Sequence, residues 1–149
     1  MKLIETILLA DDFSKSSKNV VNAAISLANV MHSKTIPIYV LPDEVVSRKV
    51  KSFLEETAHS KLKETVDHLK REGLEVGAPI LKFGSVSDAV VRASLKVNAN
   101  LIVVGSGEGR EEDRFQLGTT TQQIIQKSEK PVFVVKEGVP LNVRNILCP

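Results

Sequence analysis

The sequence predicts an α/β domain: a five-stranded, mostly parallel sheet with helices on both faces. Two observations point there. Short apolar runs alternate with longer segments whose apolar residues recur at helical spacing, and the alternation holds from the first strand to the last. The length, 149 residues, suits one domain with a core large enough to fold without staples. Strictly alternating strands and helices bring successive strands back parallel through right-handed crossovers.

The first strand is Ile7 to Ala10 (ILLA), too short for a helix and bounded by Asp11-Asp12. From Lys15 to about His32, Val20, Ala24, Leu27, Ala28 and Met31 recur as one helical stripe, with Ser14 as its N-cap. Thr35 to Leu41 (TIPIYVL) is β-branched and apolar, a second strand despite Pro37. Val46, Val50, Leu54, Ala58, Leu62, Val66 and Leu69 stripe a long helix that Gly73 ends at its C-cap. Leu74 to Phe83 supplies a third strand, weakened by Gly77 and Pro79. Ser85 caps a third helix marked by Val86, Ala89, Val90, Ala93 and Val97. Leu101 to Val104 (LIVV) is the fourth strand, Thr119 to Ser128 a short helix, and Pro131 to Val135 (PVFVV) the fifth strand.

Composition narrows the function classes. The chain is 42% hydrophobic and 26% charged, with a net charge of +2 and mixed signs along its length. That is an ordinary soluble balance, with no electrostatic footprint for nucleic acid or a membrane surface. Cys148 stands alone, which excludes an internal disulfide and fits a reducing, cytoplasmic setting. The N-terminal MKLIETILLADD turns acidic too soon for a signal peptide.

In open parallel sheets, ligands bind beyond the carboxyl ends of the strands, where the strand order reverses. Two loops qualify: ADDFS after the first strand and GSGEGREED after the fourth. Glycines after a strand, then Gly118-Thr119 opening a helix, form a phosphate cradle whose helix N-terminus offers backbone N–H groups and a positive dipole end. Asp12 is also placed to cap the first helix or brace its loop, Thr119 to be the N-cap of the last helix, and Val40 to be core. The same loop holds Glu108, Glu111, Glu112 and Asp113, with Arg110 and Arg114 among them.

At these residues the chain resembles the universal stress proteins. ILLADDFS is similar to that family's opening strand and loop, and LGTTTQQIIQKSEKPVFVVK to its closing helix and strand. The resemblance spans Leu3 to Lys136 and implies strand order 3-2-1-4-5. It implies ATP or another adenine nucleotide as ligand, with magnesium as the metal that would accompany it. Ala10, Asp12 and Val40 then fall at the adenosine end, and Gly105, Gly107, Gly118, Thr119 and Thr120 at the phosphate end. The family's motif runs Gly, two residues, Gly, nine residues, then Gly with Ser or Thr. Gly105, Gly118 and Thr119 are in register, but position 108 is Glu. A carboxylate about 4 Å from a phosphate charge costs about 4 kcal/mol at a surface-like dielectric. Arg110, Arg114 or a bridging divalent ion would offset part of it.

The resemblance also implies a homodimer, because the apolar fifth strand, Pro131 to Val135, lies at a sheet edge. The universal stress domain is expected over residues 1–137. The tail 138–149 ends RNILCP, which aligns with ETILLA at the start and suggests the first strand of a second copy. No Ser-His-Asp or Cys-His arrangement offers a nucleophile, and His32, His59 and His68 have no metal-ligand spacing. The expectation is a cytoplasmic nucleotide-binding module with no catalytic residue and no resident metal. Its rivals are a docking domain with a degenerate ATP motif, and an adenosine-binding enzyme domain sharing the fold.

Overall fold

The computed structural model describes residues 3–14, 17–43, 47–107 and 117–136. Glu108, the acidic run after it and the 138–149 tail lie outside the described residues. In chain order the elements are β1 (Thr6–Ala10), α1 (Ser17–Met31), β2 (Lys34–Leu41), α2 (Arg48–Arg71), β3 (Glu75–Val76), β4 (Ile80–Phe83), α3 (Val86–Lys96), β5 (Leu101–Gly105), α4 (Thr119–Lys127) and β6 (Val132–Val135). Every strand pairing is parallel. The sheet order is β3-β2-β1-β5-β6, with β4 also on β2. Counting β3 and β4 as one interrupted strand, this is the expected 3-2-1-4-5 order.

The interruption corrects the single third strand expected over Leu74 to Phe83, and its cause is chemical. β2 alternates its hydrogen bonds between neighbours: the Ile38 carbonyl accepts from Asp11 N–H, while those of Thr35 and Leu41 accept from Gly77 and Gly84 N–H. Pro37 shares the parity of Thr35, so the N–H it lacks would have pointed to the β3–β4 side. Pro79 stands across from it and also has no N–H to give. Val76 lies opposite Thr35 and Ile80 opposite Ile38, so residues 77–79 face only residues 36 and 37. The extra residue makes a bulge, and the strand parts where neither side can donate. Gly77 is required there, since a Cβ would come within 2.7 Å of Ile36 Cγ1.

Alternating strand residues feed two cores. Ile7, Leu9, Leu101 and Val103 pack under α1, with Leu69 of α2. Leu8, Ile38, Val40, Ile102 and Val104 pack on the other face with Val90 of α3 and Ile124 of α4. The long stripe expected on α2 is core only from Ala58 onward: Ala58, Leu62 and Leu69 are buried, whereas Val50 and Leu54 are 45% and 38% exposed. Length explains this. A 24-residue helix runs ~36 Å at ~1.5 Å per residue, and the eight residues of β2 cover only ~26 Å. The first turns of α2 therefore overshoot the sheet. Among the described residues no helix is long and apolar enough to cross a membrane.

Three helices end alike. The residue after the last turn, His32, Gly73 or Asn98, has positive φ (55°, 85° and 51°). The next amide reaches back five residues: Ser33 to Ala28, Leu74 to Leu69 and Ala99 to Ser94. This satisfies carbonyls that the helix leaves unpaired. The C-cap of α2 is Glu72, with Gly73 one position beyond it.

Candidate functional site

β1 and β5 are neighbours, yet their connections leave on opposite faces, so their carboxyl ends open a crevice. A cavity of about 310 Å³ lies there. Ala10, Asp12, Val40, Gly105, Gly107, Gly118, Thr119 and Thr120, the eight positions the sequence nominates, all line it.

One end is acidic. As β1 stops, Asp11 is buried and its Oδ1 accepts the Phe13 N–H at 2.9 Å, while Oδ2 takes the Thr65 hydroxyl at 3.4 Å. Burial pushes the Asp11 carboxyl up, and the neighbouring Asp12 charge adds to this, against the hydrogen bonds from Phe13, Thr65 and Ser17. Asp12 is exposed and accepts the Ser14 N–H at 2.9 Å, so it braces its loop while facing the cavity. These side-chain turns hold Phe13 at φ 56°, where its ring meets Tyr39 with centroids 4.4 Å apart. Burial, then the charges of Asp12 and Asp11, push the Tyr39 phenol above its usual range, so it enters the cavity as a neutral hydroxyl.

The other end is a helix N-terminus. Gly118, not Thr119, is the N-cap of α4, and it provides no side-chain cap. Thr119 is the first helical residue, which corrects its expected N-cap role. With no side chain to take them, the first-turn amides are available to an anion. Thr121 fixes this end by donating its hydroxyl to the Gly105 carbonyl at 2.8 Å, and Gly118 N–H bonds the Ser106 carbonyl at 2.7 Å. Gly107 sits at φ 80°, where a Cβ would come within 3.0 Å of Gly118 Cα. The glycine just before position 108 thus closes backbone on backbone at the neck of the loop. Between the ends, Ile38, Val40, Val86, Val90, Val104 and Ile124 make an apolar wall.

Sequence reasoning missed Asp11, Tyr39 and Thr121. The doubled Asp was visible, but only the fold shows which carboxylate turns inward. Tyr39 follows the strand's alternation onto the α1 side of the sheet, which reads as core until the neighbouring loop is placed.

The fold and this chain's own sequence both have counterparts. The universal stress protein MJ0531 of Methanocaldococcus jannaschii is 26% identical over 143 residues, covering 91% of this chain and 84% of that protein. The solved structure of MJ0577 superposes with a TM-score of 0.78 at 23% identity, over 92% of this chain and 99% of that one. A universal stress protein from Archaeoglobus fulgidus, solved in complex with dAMP, gives 0.67 at 23% identity, over 91% and 100%. The sequence pattern of the Universal stress protein family matches residues 4–136. That span takes in every strand and helix described above, and the chain belongs to the universal stress protein family.

Proposed function

We propose that the cavity binds an adenine nucleotide, and that the chain is a non-catalytic nucleotide-binding module that pairs through β6. One observation carries the reading: a single cavity joins an acidic, donor-seeking end to an uncapped helix N-terminus across an apolar wall. Asp12 and Tyr39 suit the hydroxyls and amine of an adenosine, and Val40 its base. The phosphates belong at Thr119 and Thr120, since like charges ~4 Å apart at the acidic end would cost about 4 kcal/mol. The dAMP complex of the Archaeoglobus fulgidus relative is consistent with this class of ligand. The residues fit an adenine nucleotide without naming a magnesium ligand.

A second reading rests on Glu108, which stands where the motif has glycine. In it the triphosphate site is degraded and the domain docks a protein partner. Calorimetric titration with ATP, ADP and AMP, with and without magnesium, tests both. Saturable micromolar binding is expected, tightened for ATP in Glu108→Gly. Silence with all three nucleotides in both proteins would overturn the nucleotide reading in favour of docking.

A further inference from the structure

We infer that a second cavity, of about 650 Å³ between α1 and α2, binds a small soluble molecule bearing phosphate. Its walls are one face of each helix: Lys61, Thr65, His68 and Arg71 follow one another at helical spacing on α2, and Lys18 and Asn22 on α1. Such a seam beside a core is normally filled by apolar side chains. Here three exposed cations, a half-buried imidazole and a half-buried hydroxyl line its mouth above the buried Val21.

The one ion pair among the described residues joins Lys127 to Asp88, on the opposite side of the sheet. Lys18, Lys61 and Arg71 therefore have no carboxylate partner among those residues, although Glu64 and Asp11 also line the cavity. Asp11 accepts the Phe13 N–H and faces the Thr65 hydroxyl at 3.4 Å, which lies nearer the Lys61 carbonyl at 3.1 Å. Lys61 is held over the Phe13 ring, 5.4 Å from its centroid, which fixes one cation at the mouth. The lining sets Lys18, Lys61 and Arg71 against the carboxylates of Asp11 and Glu64, and this excess of positive charge attracts anions.

Phosphate fits better than carboxylate. Lys18 and Lys61 come from different helices, hence from separate directions, and tetrahedral phosphate oxygens can be met that way. A carboxylate offers two coplanar oxygens, best served by a single guanidinium fork. The Phe13 ring and Val21 leave apolar surface for the body that carries the phosphate.

Backbone amide shifts of the intact chain, titrated with pyrophosphate, inorganic phosphate and citrate, test this. Saturable shifts at Lys18, Asn22, Lys61 and Thr65 are expected, tighter for pyrophosphate than for citrate. Lys18→Gln and Lys61→Gln should each weaken pyrophosphate binding about tenfold while leaving any adenine nucleotide affinity unchanged. Failure of nucleotide binding alone leaves the site standing, because its readout is on α1 and α2. Absence of saturable shifts there, shifts confined to Gly118–Thr120, citrate binding as tightly as pyrophosphate, or two variants with parental affinity would each overturn it. So would cosedimentation of the chain with phosphatidic acid vesicles in place of binding soluble pyrophosphate, which would assign the phosphate to a lipid.

Discussion

Asp11 is a carboxylate held almost wholly inside the fold, 5% exposed. Burial outweighs its hydrogen bonds, so its folded value lies above the ordinary 3.8. A raised acid favours the folded state below the unfolded value and loses that contribution as pH rises through the folded one. Near neutrality the ionised group therefore weighs against folding. Asn keeps an acceptor for the Phe13 N–H, so Asp11→Asn should be the more stable protein in urea melts at pH 7. That advantage should shrink as pH falls toward 4. Gly107 offers the complementary test. An alanine there takes a left-handed backbone against Gly118, and Gly107→Ala should lose about 2 kcal/mol of unfolding free energy. The sequence displayed both residues without their roles. Two adjacent aspartates look alike until the fold turns one inward, and a glycine between other glycines reveals its φ only once the loop closes.

Helix ends are the most legible local feature and also the one where this chain departs from the commonest solution. Gly73 announces its stop. His32 does the same work at φ 55° with a Cβ in the way, so His32→Gly should gain up to about 1 kcal/mol in thermal unfolding. No gain would mean that the imidazole makes compensating contacts. Strand limits were harder to read. Leu74 to Phe83 carries enough apolar residues for one strand, and its break depends on Pro37, some forty positions earlier in the chain, lying opposite Pro79. The α2 stripe failed for a related reason. Periodicity tells which face of a helix is apolar, but not how far the sheet extends beneath it. Packing against a partner of fixed length decides that, and Val50 and Leu54 fall beyond the end.

Across the whole molecule, alternation made the parallel sheet and its two candidate loops legible, whereas the strand order and the eight residues that line one crevice were legible only through the resemblance to the family. The acidic end and the second cavity were not, since both arise where separate elements meet. The sheet has two very different margins. Pro131 and Val135 carbonyls accept from Ile102 and Ser106 N–H, so alternation turns the backbone groups of Val132 and Val134 outward along an unbroken strand. A proline at 134 removes an outward N–H and spares the bond to β5. Val134→Pro should therefore shift a dimer to monomer in sedimentation velocity while thermal unfolding of the monomer stays cooperative. An unchanged dimer would place the contact elsewhere. The opposite margin is parted by residues 77–79 and offers no straight run of donors and acceptors to a newcomer. A sheet that can be extended on one side only accepts one neighbour and is then finished. Should β6 pair as proposed, the break at residues 77–79 would leave a closed pair with no second edge from which open-ended fibres could grow.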